Sequence, residues 1–474
     1  MPEQLTLVID QGTHATRAIL FDELGRERLT ATRPVSLHRL SPEMIEQDGP
    51  EIIASMGEVV AEALASDIAR SGRITAAGLA TQRSTIALWD REDGRALGPL
   101  LSWQDRRAAA SLESLAAKEP EIRQRTGLPL SPHYGASKLR WSLDHLPGAQ
   151  RALRDSRLAF GPLAAYLIHH LVAGAPQLVD DANANRTQLW NIETRHWDPW
   201  LLELFDLPAE PLPACRPIRS HYGVIAGTDI PLTTVNGDQN AAVYALGRPQ
   251  PGVAIINLGT GAFVLAPTGH RLIRHPALLS GITSSDEAGA DYTIEGTVNG
   301  AGAAISWAGK MLGISAPARK LDAWLREIPD PPLFLNSIGG LGSPWWRPGP
   351  DPIWLSADVS DAERLAAVAE SILFLLQANL DAMTAAGLDI GRIQISGGLA
   401  HADALCQRMA NLSGLPVYRP RQTEATARGA AWLASGMPEH WPEPEPGDLF
   451  EPRPAAGLRH RYQRFIEIIR ASAP

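Results

Sequence analysis

The sequence predicts an α/β protein built as two large domains with a cleft between them, and three observations lead there. Its 474 residues exceed what one ordinary core holds, since globular chains divide into domains of roughly 100–200 residues. Short apolar strands alternate with helix-patterned segments along the chain. Two strand–turn–strand units with Gly-Thr tips, one near the N-terminus and one near the middle, give the two halves similar openings and suggest duplication.

A hydrophobic share of 45% and a charged share of 20% are those of a globular protein. The net charge of -9 argues against a nucleic-acid partner, which calls for a basic surface. No apolar run approaches the ~18 residues of a membrane span, and no basic, cleavable leader precedes the first strand. The expectation is a cytoplasmic enzyme with no membrane partner, assembled as a homodimer or homotetramer. Cys215 and Cys406 have neither metal-ligand spacing nor disulfide density and read as buried thiols.

Residues 5–9 read as a buried strand, 10–16 as a polar turn and 17–22 as a second strand closed by a Gly25 turn. Ile52, Ile53, Met56, Val59, Val60, Ala63 and Leu64 have helix spacing. Strands over 76–81 and 85–90 flank Gln82, Arg83 and Ser84, placing those side chains at a strand end, where α/β sites are built. In the segment 234–247, Asp238 follows a strand and precedes a short helix; its plain structural reading is an N-cap. Strands at 253–256 and 262–266 surround the tight turn of Gly259, Thr260 and Gly261. Asp361 starts a long apolar-faced helix that stops at Gly387. Residues 395–414 read as strand, Gly397-Gly398 turn, and helix capped by Gly414. The proline- and acid-rich stretch 437–457 suits an extended surface connection. It leads to a helix with Leu458, Tyr462, Phe465, Ile466 and Ile469 on one face, docked on the body. The expected divisions are 1–247, 248–436 and a tail over 437–474.

Phosphoryl transfer needs backbone donors around the phosphates, a carboxylate-held metal, and a group that orients or deprotonates the attacking hydroxyl. The Gly-Lys-Ser/Thr pattern and the protein-kinase loops are absent, so a different cradle is required. DQGTHATRA (10–18) offers one: Gly12 permits close backbone approach, Thr13 presents a hydroxyl, Arg17 adds charge, and Asp10 can hold Mg²⁺ directly or through water. Aspartate and glycine also dominate ordinary hairpin turns. The second Gly-Thr-Gly turn, in NLGTGAF (257–263), shifts the reading towards two loops clasping a triphosphate. Gly397 and Gly398 would let adenine or ribose approach the backbone, although tight packing explains such glycines about as often. Asp238, near the junction of the halves, can accept the proton of a substrate hydroxyl as it attacks the γ-phosphate.

Together with TQRSTIALWD, SWQDRRA, FGPLAAYLIHHL, DDANANRTQLWNIETRHWD and EGTVNGAGAAISW, in that order, these motifs resemble the FGGY carbohydrate kinase family from about residue 5 to about 436, nearest its glycerol kinase branch. The resemblance implies two ribonuclease-H-like domains of the actin and hexokinase type, closing around ATP, Mg²⁺ and a small polyol or sugar. It gives Asp238 the base role and sets Asp10, Gly12, Thr13 and Arg17 in the phosphate and metal loop, with Asp10 and Asp238 at the metal. Thr260, Gly302 and Gly398 match nucleotide-contacting positions, beside Gly259, Gly261 and Gly397; Ser306 and Ala402 stand where that branch has Gln and Asn. The substrate pocket implied comprises Gln82, Arg83, Ser84, Trp103, His133, Asp238 and Gln239. Ser84 replaces a glutamate of that branch and His133 a tyrosine, and residues 132–145 further depart at Gly135 and Ser142 while keeping Lys138 and Trp141. Losing a carboxylate acceptor leads to the expectation that glycerol is a poor substrate and that a longer polyol or a ketose, of the xylulose, ribulose or gluconate kind, is preferred. A nucleotide-switched binding protein of the same fold is the alternative. Retention of Asp238, Arg83 and both loops argues against it.

Overall fold

The computed structural model describes residues 2–421, 424–443 and 445–472. In the first half, β1 (Gln4–Gln11), β2 (Ala15–Asp22), β3 (Glu27–Pro34), β4 (Arg73–Thr81) and β5 (Leu232–Gly237) form one sheet in the order β5-β4-β1-β2-β3. The first three strands are an antiparallel meander, and β4 and β5 add in parallel on the other side of β1. In the second half, β6 (Val253–Leu258), β7 (Ala262–Gly269), β8 (Leu279–Asp286), β9 (Gly289–Val298), β10 (Arg392–Ser396), β11 (Val417–Arg419) and β12 (Asp448–Phe450) order as β8-β9-β7-β6-β10-β11-β12. Setting aside the outer strands β8 and β12 leaves the same antiparallel three and parallel two. The repeated hairpins in the sequence are therefore the visible end of a repeated sheet.

The helices that matter for the site are α1 (Gly49–Leu64), α2 (Gly135–His145), α3 (Asp238–Ala242), α4 (Gly302–Met311), α5 (Asp361–Ala385), α6 (Asp403–Ser413), α7 (Ala425–Ala434) and α8 (Ala456–Ala471). Helix α1 starts where the Asp48 side chain accepts from the Glu51 amide, and it buries Ile52, Met56, Val59, Val60 and Ala63 of the face its spacing predicts, leaving Ile53 and Leu64 at the edge half-buried. Helix α5 starts with a Ser360–Glu363 capping box. It is long and apolar enough to cross a membrane, although charged residues interrupt its apolar run, and most of it is buried as the core helix of the second half.

The strand at Ile86–Asp90 does not continue the sheet of β4. It enters a separate five-stranded sheet with His38–Arg39, Ile45–Gln47, Leu100–Leu101 and Leu158–Pro162. Residues 82–85 are thus the crossing between two sheets. The boundary expected at 247/248 follows the chain but not the packing, because α7 lies against the first sheet, with Ala427, Ala430, Ala431 and Leu433 buried in the first core. Gly429 allows this: a Cβ there would come within 1.9 Å of the Ala241 carbonyl oxygen on α3.

The stretch after α7 is more than the surface connection expected. Trp441 is buried, its indole N–H donates to the Ala245 carbonyl at 3.3 Å, and the Arg428 guanidinium lies 4.9 Å from its ring. Arg428 itself is buried and donates to the carbonyls of Gly25, Ala245 and Pro442. Helix α8 docks as expected, burying Leu458, Phe465 and Ile469. Cys406 is buried, whereas Cys215 is only half-buried.

Candidate active site

Strand register gathers the first-half residues. Gln11 on β1 pairs with Thr81 on β4, and Thr81 pairs with Gly237 on β5. Three neighbouring strands therefore end level, and the next residues of each, Gly12, Gln82 and Asp238, emerge side by side at their C-terminal edge. Asp238 is the first residue of α3 and Gly237 is its cap, so Asp238 is not the N-cap that its sequence context allowed. One Asp238 oxygen accepts from the Gln239 amide at 2.7 Å and lies 3.8 Å from Nε of Arg83. Its side chain remains 32% exposed, open to a ligand from the cleft. Burial pushes its carboxyl upwards against the opposing pull of Arg83.

Arg83 is fixed from several sides. It donates to Asn240 Oδ1 at 3.0 Å, to both carboxylate oxygens of Glu295 at 3.1 and 3.3 Å, and to Gln239 Oε1. Arg186 donates to the same Glu295 at 2.6 Å. Burial alone would raise the Glu295 carboxyl, but Arg186 and Arg83 outweigh it and hold the group at about 2. Glu295 sits on β9 of the second half, so a carboxylate from one half orders two arginines of the other.

A second wall stands beside this one. The Trp103 indole N–H donates to the Thr13 hydroxyl at 3.0 Å, and the Trp103 amide donates to the Thr85 hydroxyl at 3.0 Å. The His133 ring meets Trp103 edge-on at 5.8 Å and Tyr134 at 5.1 Å. Burial, reinforced by Lys138 and neighbouring arginines, drives the His133 imidazole well below its usual range, so it is neutral at pH 7. Ser84 is buried, takes a left-handed φ of 64°, and its hydroxyl has no hydrogen-bond partner. Such a conformation costs about 1–3 kcal/mol outside glycine.

On the phosphate side, Gly12 N–H donates to the Ala15 carbonyl at 3.0 Å and closes the hairpin tip. Arg17 lies 3.7 Å from Asp10 and donates to Glu424 at 3.0 Å, so its charge is shared rather than free. Burial and Asp238, partly offset by Arg17, push the Asp10 carboxyl up to about 7. In the second half, the amides of Gly302 and Ala303 at the start of α4 donate to the carbonyls of Gly259 and Thr260 at 3.0 and 2.9 Å. A Cβ at Gly397 would meet the Leu258 carbonyl oxygen at 2.5 Å, and one at Gly261 would meet the Val298 carbonyl oxygen at 2.9 Å. Gly259, Thr260, Gly261, Gly302, Gly397 and Gly398 thus form one cluster at the ends of β6, β9 and β10. This is the counterpart of the first-half cluster.

Models of the N-terminal and C-terminal domains of the FGGY family of carbohydrate kinases match residues 5–244 and 254–436. The chain belongs to this family. Glycerol kinase from Geobacter sp. (strain M21) is 37% identical over 440 residues, 90% of this chain and 89% of that protein. Glycerol kinase from Gloeobacter violaceus is 38% identical over 443 residues, covering 90% and 87%. Among solved structures, Plasmodium falciparum glycerol kinase with ADP matches with a TM-score of 0.91 at 23% identity, over 100% of this chain and 99% of that one. Gluconate kinase from Lactobacillus acidophilus matches with a TM-score of 0.85 at 19% identity, over 99% and 98%. The chain is therefore a carbohydrate kinase, an enzyme that phosphorylates a hydroxyl.

Within the FGGY frame, two sequence assignments change. The Gln82 amide is spent inside the protein, donating to Gln47 at 2.8 Å and accepting from Thr85 at 3.1 Å, so it supports the pocket and does not line it. Ala402 is buried in the second core at the cap of α6 and presents nothing to the cleft, while Ser306 is exposed on α4. Arg186, Asn240 and Glu295 escaped the sequence reading. The available signal for Glu295 was a charge in the middle of the apolar strand pattern of β9.

Proposed function

We propose that this FGGY kinase transfers the γ-phosphoryl group of ATP to a hydroxyl of a polyol or sugar larger than glycerol, with Asp238 as general base. The observation that carries the reading is the level ending of β1, β4 and β5, which sets the Asp10–Thr13 loop, Arg83 and the accessible Asp238 carboxylate side by side. Arg83 holds the Asp238 carboxylate oriented and shares its charge with Glu295, which keeps Asp238 basic enough to accept a proton. The substrate hydroxyl that donates this proton attacks phosphorus as the bond to the leaving oxygen of ADP breaks. Trp103 and neutral His133 give the pocket an aromatic side, and the small Ser84 side chain leaves room beside Arg83.

Asp10 and Asp238 suit Mg²⁺: both are hard oxygen donors whose carboxyls are raised by burial, Asp10 to about 7 with the Asp238 charge adding to its rise, and a divalent cation would favour their ionised forms. Among the described residues no group of three or more His, Cys, Asp or Glu side chains could hold a metal ion. Two carboxylates plus substrate phosphates are the usual Mg²⁺ arrangement, and the ion would neutralise charge on the phosphates.

Both halves contribute to ATP. Thr13→Val and Thr260→Val are each expected to weaken binding of a non-hydrolysable ATP analogue in calorimetry, or turnover, without loss of fold; an effect from only one of them counts against the shared cradle. Specificity is tested by steady-state kinetics on glycerol, erythritol, xylulose, ribulose and gluconate. Because ~10⁴–10⁵ of discrimination is available where a site is built around particular hydroxyls, at least one longer substrate is expected to exceed glycerol in kcat/KM by about tenfold or more. A highest kcat/KM on glycerol overturns the substrate assignment and leaves the kinase reading standing.

A further inference from the structure

Lys138 is fully buried on α2, and its ammonium reaches three main-chain carbonyls: Ser102 at 2.7 Å, His133 at 2.8 Å and Ser84 at 3.1 Å. Burial lowers the Lys138 ammonium to about 7, and three acceptors match the three N–H groups of its protonated form. They come from three separate segments. Ser84 belongs to the crossing after β4, Ser102 precedes Trp103, and His133 precedes α2. Each segment contributes one of the side chains that face the pocket, namely Ser84, Trp103 and His133.

The helix that carries Lys138 is itself seated tightly. The amides of Gly135 and Ala136 donate to the carbonyls of Arg186 and Thr187 at 3.3 and 2.7 Å. A Cβ at Gly135 would meet Ile86 Cγ2 at 3.0 Å and Thr187 Cα at 3.1 Å, so the start of α2 lies in tight contact with the strand Ile86–Asp90. That approach brings the lysine stem under the crossing at Ser84. The left-handed backbone of Ser84 needs an over-determining contact to persist, and the ammonium bound to its carbonyl is one.

We infer that Lys138 is a positioning residue for phosphoryl transfer: it touches neither substrate nor ATP, and by clamping the carbonyls of Ser84, Ser102 and His133 it fixes the polyol-facing wall of the pocket. The inference rests on the proposed pocket, because it takes Ser84, Trp103 and His133 to face the acceptor. Its effect falls mainly on that side. The wall meets the phosphate loop through the Trp103–Thr13 hydroxyl hydrogen bond, but the Thr13 main chain is separately held by the Gln47 amide, which donates to its carbonyl at 3.0 Å, so loosening the wall leaves the loop backbone in place.

The test compares wild type with Lys138→Met, which keeps the stem and removes all three donors, and Lys138→Gln, which keeps two N–H groups. The readouts are KM for the best acceptor of the panel and Kd for a non-hydrolysable ATP analogue. Since a misplacement of about 1 Å can cost ~10²-fold, Lys138→Met is expected to raise the acceptor KM about 10- to 100-fold with the analogue Kd within about twofold, and Lys138→Gln to fall between. An unchanged acceptor KM, a parallel loss of nucleotide affinity, or failure of both variants to fold overturns the inference, the last by assigning Lys138 to the fold alone. A wild-type protein that phosphorylates none of the panel is a different outcome, and sinks the proposed function instead.

Discussion

Asp238→Asn is expected to lower kcat by about 10²–10⁴ while ATP still binds. The amide keeps the shape and can still accept from the Gln239 amide, an interaction of 2.7 Å in the wild type. What it lacks is a site for the proton of the acceptor hydroxyl. Nucleotide binding survives because the phosphate loops are held by their own contacts: Gly12 to Ala15 in the first half, and Gly302 and Ala303 to the carbonyls of Gly259 and Thr260 in the second. The wild-type pH profile follows from the same carboxyl. A base must be ionised, and burial raises Asp238 above the ordinary 3.8, so the acid limb of kcat/KM lies above that value. Turnover by Asp238→Asn at the wild-type rate removes the base assignment.

Glu295→Ala is expected to destabilise the protein by about 3–5 kcal/mol, because it leaves Arg83 and Arg186 as buried cations without their shared carboxylate. Total stabilities are only about 5–15 kcal/mol, so the shift in a denaturant midpoint is large. The titration gives a similar magnitude: lowering Glu295 from 4.5 to about 2 in the folded state corresponds to about 3 kcal/mol. The folded value lies below the unfolded one, so this contribution is fully present above about pH 4.5 and is lost as pH falls towards 2. Urea unfolding of wild type and variant at pH 7, with the difference narrowing on acidification, checks both parts. A variant as stable as wild type at pH 7 shows that the two arginines do not depend on Glu295.

What the sequence revealed and what it hid divide along physical lines. The Gly-Thr hairpin tips, the strand end at Gln82–Arg83–Ser84 and the position of Asp238 were readable because each depends on a local pattern of apolar run, turn and helix start. Arg186, Asn240 and Glu295 were not. Arg83 and Glu295 are separated by 212 positions, and nothing local in either segment says that a strand of one half will feed its carboxylate to the other. Gln82 and Ala402 show the reverse limit: a position in a motif does not say whether the side chain faces the ligand or the core. Trp441 shows a third limit, since a proline-rich composition describes the backbone of the segment but not the one aromatic side chain that anchors it.

The substrate pocket has the same character. Ser84 was legible as a departure from a glutamate, but its left-handed backbone, its unpartnered hydroxyl and the Lys138 ammonium beneath it required the fold. A lysine on the buried side of a helix is a sequence signal of its own, because burying an ammonium is costly unless acceptors surround it.

The most direct measurement follows the phosphorus itself. Wild-type enzyme, ATP and Mg²⁺ are mixed with each acceptor of the panel and observed by phosphorus NMR, with Asp238→Asn in parallel. The account predicts a new sugar or polyol phosphomonoester growing one-for-one with ADP in the wild type, and nucleotide binding without ester in the variant. ADP forming without any ester, or ester forming equally fast in the variant, contradicts it.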